Sequence, residues 1–119
     1  TFGGHPVSCA ASLATLEVIW EGMGYDGNGD TLTVKEKGEL IKKTLIHPKI
    51  KEIRGEGLML AVEFESFDAL KPIIDRAIEN GVITDWFLFC DNSMRLAPPL
   101  IISESQILAA CNVILEAID

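Results

Sequence analysis

The feature that most constrains the fold of this chain is the alternation between two spacings of apolar residues. Apolar side chains recur every three or four positions in four segments, as they do on one face of a helix: residues 6–21, 31–45, 67–80 and 103–118. Between these segments lie shorter stretches in which apolar and polar residues alternate, the pattern of a half-buried strand. This order predicts an α+β fold, in which a small, mainly antiparallel sheet is covered by helices on one side.

The predicted strands are short and are bounded by glycine and proline. The longest alternating stretch, residues 50–64, is interrupted at residues 54–57 (Arg-Gly-Glu-Gly), which predicts two strand pieces joined by a glycine bend or bulge. Further strands are predicted at residues 82–84, around residues 87–89 and at residues 94–97. The last of these ends before Pro98, because proline has no N–H to donate to a ladder.

Length and charge restrict the function. At 119 residues the chain is large enough for one domain, and its formal net charge of −8, from 10 basic and 18 acidic residues, disfavours a nucleic-acid partner. The longest apolar runs are far shorter than the roughly 20 residues that span a bilayer, and no basic amino-terminal segment precedes an apolar one. We therefore expect a soluble, cytoplasmic protein with neither a membrane nor a nucleic-acid partner.

Two groups of residues are assigned no function. A run of lysines interleaved with acidic residues predicts the solvated face of a helix: Lys35, Lys37, Lys42, Lys43 and Lys49. Cys9, Cys90 and Cys111 lie far apart in the sequence and in apolar surroundings. An odd number of cysteines without a framework spacing predicts reduced thiols in the core.

Metal and nucleophile chemistry find little support in the residues. The polar loop at residues 26–30 lacks the glycine and the glutamate that a calcium loop needs at its sixth and twelfth positions. His5 and Cys9 are four residues apart, but Pro6 keeps His5 out of the helix, and no second pair of ligands is near in the sequence. Neither His5 nor His47 has a recognisable nucleophile partner. We therefore expect no metal site and no catalytic residue in this chain.

The amino-terminal segment is suited to holding a phosphate. Residues 1–6 (Thr-Phe-Gly-Gly-His-Pro) combine a hydroxyl, two glycine amides without a Cβ, and a proline at the start of a helix. The amino terminus of a helix favours an anion, and Thr1 is placed to donate its hydroxyl to it. The alternative is that Gly3 and Gly4 only form a turn before the helix.

Two arginines lie within the predicted strands. Arg95 stands between Met94 and Leu96, and an arginine flanked by apolar residues needs a specific anion or carboxylate opposite. Its planar fork suits a carboxylate, from a protein side chain or from a small acid. The alternative is an arginine on an edge strand that pairs with a surface glutamate. Arg54 is predicted to be structural and to hold the bend between two strands.

Three segments taken together resemble the carboxy-terminal third of the class III aminotransferases: residues 1–11 (Thr-Phe-Gly-Gly-His-Pro-Val-Ser-Cys-Ala-Ala), 53–60 (Ile-Arg-Gly-Glu-Gly-Leu-Met-Leu) and 95–102 (Arg-Leu-Ala-Pro-Pro-Leu-Ile-Ile). The spacing between the segments agrees as well. This family of fold type I pyridoxal phosphate enzymes includes acetylornithine, ornithine, 4-aminobutyrate and other ω-amino acid transaminases. The resemblance implies the carboxy-terminal small domain of such an enzyme, with residues 1–22 as a helix bordering the large domain and dimer interface and residues 31–119 as the small α+β domain.

The resemblance also assigns roles to two residues. It implies that Thr1 binds the phosphate of pyridoxal 5'-phosphate in the active site of the partner subunit of a homodimer. It implies that Arg95 faces the substrate channel, where it takes a substrate carboxylate or pairs with an active-site glutamate. His5 replaces an asparagine often found in the acetylornithine and ornithine branch and is more similar to ω-amino acid and amine transaminases, so the amino donor stays open.

The remaining chemistry of that family lies outside these residues. The Schiff-base lysine and the residues that hold the cofactor ring belong to a large domain, which precedes the segment that Thr1 matches. We therefore expect a carboxy-terminal fragment that is inactive alone, from an enzyme that transfers an amino group from an amino acid or ω-amino donor to a 2-oxo acid. The alternative is a non-catalytic, acidic α+β domain that binds a small ligand or a protein.

Overall fold

The computed structural model describes residues 3–22 and 32–119. Within these ranges the elements follow in the order α1 (Pro6–Gly22), α2 (Val34–Thr44), β1 (Glu52–Glu56), β2 (Met59–Glu63), α3 (Phe67–Glu79), β3 (Asp85–Phe87), β4 (Cys90–Leu96) and α4 (Glu104–Ile118). The four strands form one antiparallel sheet in the order β1-β2-β4-β3. The predicted α+β class with a mainly antiparallel sheet is confirmed.

The core lies between the sheet and three helices. Helix α2 contacts β1, α3 contacts β4, and α4 packs against both α2 and α3. The central strands β2 and β4 send buried apolar side chains towards these helices: Leu60, Val62, Met94 and Leu96. The helices contribute a matching set at three- and four-residue spacing: Ile41, Leu70, Ile73, Ile74, Ala77, Ile107, Cys111, Ile114 and Ile118. Full burial of one such large apolar side chain contributes about 1.5–3 kcal/mol.

The predicted strand pieces around residues 54–57 form a hairpin. β1 and β2 pair antiparallel from Glu52 opposite Glu63 to Glu56 opposite Met59. Gly55 and Gly57 have φ angles of +127° and +53°, which side chains with a Cβ rarely adopt. The glycine bend is therefore a tight turn that reverses the chain.

The strand predicted at residues 82–84 is wrong, and the strand predicted around residues 87–89 is displaced. The amides of Gly81 and Val82 close α3 by donating to the carbonyls of Ile78 and Ala77, a Schellman end that keeps this segment out of the ladder. Strand β3 therefore begins only at Asp85 and ends at Phe87. Residues 88–89 form the turn into β4, which begins four residues before the predicted strand.

Helix α2 begins with a capping box that the sequence interpretation missed. The Thr33 hydroxyl accepts from the Glu36 amide at 3.2 Å, and the Glu36 carboxylate accepts from the Thr33 amide at 2.8 Å. The backbone hydrogen bond from Thr33, followed by the one from its hydroxyl, holds the pKa of Glu36 below its ordinary value of 4.5. These two hydrogen bonds provide acceptors for two backbone amides that have no acceptor within the helix.

Thr33→Ala should lower the free energy of unfolding by about 1 kcal/mol at pH 7, because it removes the acceptor for one of these amides. Since the pKa of Glu36 is lower in the folded state, its contribution is present above pH 4.5 and is lost as the pH falls through the folded pKa. Because the Thr33 hydroxyl also donates to the Glu36 carboxylate at 2.8 Å, urea unfolding followed by circular dichroism should show a smaller difference between the two proteins at pH 3 than at pH 7. Thr33→Ser retains the hydroxyl and serves as the control. A Thr33→Ala effect of equal size at both pH values would mean that the Thr33 hydroxyl does not stabilise the ionised Glu36 carboxylate.

The predictions for the lysines and cysteines need correction. Lys37 is only 1 % exposed, because α2 lies close to the segment around Leu100, so it does not belong to a solvated face. Of the three cysteines only Cys111 lies in the core, and burial raises the pKa of its thiol to about 11. Cys9 is exposed and Cys90 is half-buried beside polar side chains.

Helix α1 forms as predicted, but the prediction that it packs closely against another element is not met in this chain. Its side chains from Pro6 to Ile19 are all exposed, including Val7, Leu13 and Leu16. In the described ranges, none of the helices has the length and apolar character needed to cross a membrane. The loop tested as a calcium site, residues 26–30, lies outside the described residues.

Candidate functional site

The open face of the sheet carries a row of residues that crosses all four strands. Arg54 on β1 lies opposite Ala61 on β2, Ala61 lies opposite Arg95 on β4, and Arg95 lies opposite Asp85 on β3. Neighbouring strands lie about 4.8 Å apart, so the backbone positions of Arg54 and Arg95 are about 10 Å apart. The side chain between them in the row is the methyl group of Ala61. Arg95 therefore belongs to an inner strand, and the edge-strand alternative is wrong.

The Arg95 guanidinium forms a fork-to-fork pair with Asp85. Its Nε donates to Oδ1 at 2.8 Å, and its Nη2 donates to Oδ2 at 2.6 Å. Two parallel charge-assisted bonds fix both the distance and the plane of the carboxylate. The prediction that Arg95 faces a carboxylate is met by a protein side chain within this domain.

Two contacts fix the short strand β3 beside Arg95. The Thr84 hydroxyl donates to the Arg95 carbonyl at 2.7 Å. The Trp86 ring lies edge-to-face against Phe67, with ring centroids 5.2 Å apart. These contacts connect β3 to β4 and to the start of α3, so the position of Asp85 follows from the packing of its two neighbours.

Arg54 has a different environment from Arg95. It forms an ion pair with Glu63 on β2, and its Nη2 donates to Ser93 Oγ at 3.1 Å and to Cys90 Sγ at 3.4 Å on β4. The hydrogen bond to Glu63 is the largest cause that raises the pKa of Arg54. Because its partners lie on two further strands, the contacts support the structural role predicted for Arg54.

An open cavity of about 740 Å³ lies over this row. Arg54, Ala61, Asp85 and Arg95 line its base, and the β3–β4 hairpin supplies an apolar wall that includes Trp86 and the exposed Phe89. Large exposed apolar side chains next to a charged fork are typical of a surface that another element or a ligand covers. The geometry thus suits recognition of an anion with an apolar remainder.

The second predicted site, the phosphate segment, is described only in part. Thr1 lies outside the described residues. Gly3 and Gly4 form a turn before α1, and a Cβ built on either would meet no atom within 4 Å. Gly4 has a φ of +82°, and the first turn of α1 contains no acidic residue. The open space and the helix start fit an anion, because the first amides of a helix lack intrahelical partners.

The other residues that could bind a metal or take part in catalysis do not cluster in the described part of the chain. Among residues 3–22 and 32–119, no group of three or more His, Cys, Asp or Glu side chains is arranged to hold a metal ion. His47 Nε2 lies 3.1 Å from Asp119 Oδ1, at the carboxy-terminal end of α4 and away from the row. Asp85 is the site residue that sequence reasoning missed. The only signal for it was its acidic character near an arginine, and strand pairing was needed to bring the two together.

The match to a known family decides the assignment. The model of the family described as aminotransferase class-III matches residues 1–118. The chain belongs to the class III aminotransferases. This match includes the three segments, residues 1–11, 53–60 and 95–102, whose sequences resemble the same family.

Two curated aminotransferases illustrate what this class III chain is similar to. The chain is 37 % identical over 111 residues to ornithine aminotransferase 2 of Staphylococcus aureus, a match that covers 90 % of this chain and 25 % of the relative. It is 39 % identical over 110 residues to the acetylornithine aminotransferase of Caldanaerobacter subterraneus, covering 90 % of this chain and 26 % of the relative. The chain thus spans about a quarter of the length of these relatives.

Solved aminotransferase structures share the fold. An ornithine aminotransferase from Toxoplasma gondii, described with partial occupancy of PLP at its active site, superposes with a TM-score of 0.79 and 30 % identity, over 99 % of this chain and 28 % of that one. An omega-transferase from Vibrio fluvialis superposes with a TM-score of 0.76 and 25 % identity, over 100 % of this chain and 30 % of that one. Similarity to both extends over nearly the whole class III chain.

Proposed function

We propose that this chain is the carboxy-terminal part of a pyridoxal 5'-phosphate-dependent aminotransferase, which moves an amino group from an amino acid or ω-amino donor to a 2-oxo acid. The observation that carries the proposal is the Arg95 fork, which lies on the open sheet face of a class III chain beside a cavity of about 740 Å³. A guanidinium in that position suits the carboxylate that both an amino acid and a 2-oxo acid present. None of the described residues in that row is a lysine, so the row itself has no amine that could form a Schiff base.

The cofactor would be held partly by the amino-terminal segment. Pyridoxal phosphate supplies an electron sink to amino-group chemistry when it is bound. The open turn at Gly3 and Gly4 fits a phosphate, and Thr1 would add its hydroxyl in the active site of a partner subunit. The Schiff-base lysine would come from the large domain of the same enzyme, so the 119 residues alone would not transaminate.

Helix α1 supports an assembly with that large domain and with a second subunit. It is 17 residues long and carries exposed apolar side chains on several faces, a pattern of a helix that is surrounded by other elements. Residues 1–22 would then border the large domain and the dimer interface, while residues 31–119 would form the small domain. We propose a cytoplasmic homodimer.

Replacing Arg95 by Gln in the full-length enzyme should raise the KM for the carboxylate-bearing substrate about tenfold or more. The reason is that a hydrogen bond to a charged group contributes about 1.5–3 kcal/mol, and each 1.4 kcal/mol is a tenfold change in affinity. Steady-state kinetics with pyruvate or 2-oxoglutarate as acceptor would measure the effect, and kcat should change less than KM.

Arg76→Gln provides a matched control, because Arg76 lies in the last turn of α3, away from the row on the open sheet face. It should leave the KM for the oxo acid close to that of the unmodified enzyme. Equal KM values for the Arg95→Gln and Arg76→Gln enzymes would remove Arg95 from substrate recognition.

A further inference from the structure

Helix α3 is closed by an Asn-Gly dipeptide, Asn80 and Gly81, which is capable of a reaction of its own. The backbone nitrogen of the residue after an asparagine can attack the side-chain amide carbon and close a five-membered succinimide ring. Glycine favours this attack, because it has no Cβ that would hinder the nitrogen or restrict the backbone rotation. The dipeptide at this helix end is therefore intrinsically reactive.

The surroundings of the dipeptide leave room for a ring and for water. Both Asn80 and Gly81 are exposed, and a Cβ built on Gly81 would meet no atom within 4 Å. The preceding residue, Glu79, is exposed as well. Solvent thus reaches the side-chain amide of Asn80 and the peptide group that follows it, which are the two groups that would form the succinimide.

The folded helix end holds these two groups apart. The Gly81 amide donates to the Ile78 carbonyl at 3.0 Å, and the Asn80 side-chain amide donates to the Arg76 carbonyl at 2.8 Å. Asn80 has a ψ of 15°, so the Gly81 nitrogen must rotate about the Cα–C bond of Asn80 before it can reach the side-chain carbon. Both hydrogen bonds must break for that rotation, because they fix the nitrogen and the side chain that have to meet.

The opening that the reaction needs is local. The ends of helices open at a much lower free energy than the domain as a whole. The residues that would move, Glu79 to Gly81, are exposed, whereas the buried Ala77 in the preceding turn can stay in place. The end of α3 can therefore open while the core stays folded.

We propose that Asn80 is a modification site, which converts spontaneously to aspartate and isoaspartate at a rate set by the opening of this helix end. A bond forms between the Gly81 nitrogen and the Asn80 Cγ, the bond from Cγ to the side-chain nitrogen breaks, and ammonia leaves with the proton of the Gly81 amide. Water then adds to one of the two ring carbonyls and breaks its bond to the Gly81 nitrogen. Addition at Cγ gives aspartate, addition at the backbone carbonyl gives isoaspartate, and neither step needs an oxidant or a reductant.

Both products weaken the end of α3. A carboxylate at residue 80 cannot donate to the Arg76 carbonyl, and its negative charge is unfavourable at the carboxyl end of a helix. Isoaspartate also lengthens the backbone by one methylene group, so the amides of Gly81 and Val82 no longer fit the carbonyls that close the helix. Modification therefore makes further opening of this helix end easier.

Peptide mapping of the full-length enzyme tests the proposal. Trypsin releases residues 77–95 as one peptide, because Arg76 and Arg95 are the nearest basic residues on either side. After incubation of the folded enzyme at mildly alkaline pH, mass spectrometry should find aspartate and isoaspartate at residue 80. Conversion of the urea-unfolded chain should be about tenfold faster, because the two hydrogen bonds then no longer limit the open state. Digestion in oxygen-18 water marks any conversion that occurs during the digestion itself.

The same tryptic peptide contains an internal control, Asn92. It lies on β4, where its carbonyl accepts from the Phe64 amide at 2.9 Å and its side-chain amide donates to the Phe64 carbonyl at 3.2 Å. The next residue, Ser93, is buried, so Asn92 should stay unmodified in the folded enzyme. Asn80→Gln is the control variant. It retains the side-chain amide but would need a six-membered ring, which closes far more slowly, so conversion at residue 80 should be lost.

Three results would overturn the proposal. If Asn80 stays unmodified in the folded enzyme long after the unfolded chain is completely converted, the dipeptide is sealed and is not a modification site. If the folded and unfolded chains convert Asn80 at the same rate, the helix end does not control the reaction. If Asn92 converts in the folded enzyme as fast as Asn80, the reaction follows unfolding of the whole domain and not opening of α3.

Discussion

Gly38→Ala should lower the free energy of unfolding by about 2 kcal/mol or more, although alanine is a better helix former than glycine. A Cβ at Gly38 would lie 2.1 Å from the carbonyl oxygen and 2.7 Å from the carbonyl carbon of Gly57. Overpacking costs typically 1–3 kcal/mol and more when backbone must move, whereas the gain in helix propensity is about 1 kcal/mol. The cost of the steric clash exceeds the gain in helix propensity, because Gly57 lies in the β1–β2 turn and its φ of +53° restricts how its backbone can shift.

Urea unfolding followed by circular dichroism measures this effect, and Gly3→Ala is a suitable control. Gly3 is not among the glycines with positive φ, and a Cβ there would meet no atom within 4 Å. The control should change the midpoint little. If the Gly38→Ala and Gly3→Ala proteins unfold at the same urea concentration, the backbone of α2 at Gly38 does not lie against the Gly57 carbonyl.

The elements that the sequence predicted correctly are those defined by local chemistry. Helix α3 ends where Gly81 adopts a φ of +89°, and α4 begins with the capping box of Ser103 and Gln106. These signals lie within a few residues of the feature that they determine. Fold class and helix order follow from such signals together with the apolar spacing.

The features that the sequence did not predict depend on contacts between distant segments. Residues 82–84 have an apolar pattern, but the amide of Val82 is used to close α3, so the ladder begins at Asp85. Cys90 lies beside Arg54, which is 36 residues away, and its polar surroundings could not be read from neighbours in the chain.

The candidate site also has one part that the sequence predicted and one part that depends on contacts between distant segments. Arg95 could be predicted to face a carboxylate, because an arginine between apolar residues in a strand needs a partner. The identity of that partner required the register between β3 and β4, which places Asp85 opposite Arg95. That register depends on a two-residue turn and an irregularity near Phe87, neither of which has a glycine or asparagine signal.

The burial of Lys37 links the close approach of α2 to a second large effect. Its side chain is 1 % exposed, and its Nζ donates to the Leu100 carbonyl at 3.3 Å, in the segment that follows Arg95. Because Gly38 allows α2 to lie against the hairpin turn, the residue before it is covered as well. The four-carbon stem of Lys37 thus fills space in the manner of a core side chain.

Lys37→Ala should lower the free energy of unfolding by about 2–4 kcal/mol, whereas Lys37→Met should cost less than half as much. Truncation to alanine leaves a cavity, and large-to-alanine changes in a core cost about 2–5 kcal/mol. Methionine keeps most of the stem and removes an amine whose described contact is one carbonyl, so the lost hydrogen bond is partly offset by the lower cost of burial.

Urea unfolding of the two variants distinguishes packing from polar anchoring at Lys37. Equal losses for Lys37→Met and Lys37→Ala would mean that the hydrogen bond to Leu100, and not the stem, stabilises the fold. Lys35→Ala is the matched control, because Lys35 lies on the exposed side of α2 and its truncation removes the same charge without a cavity. The expected order of stability is therefore Lys35→Ala above Lys37→Met, and Lys37→Met above Lys37→Ala.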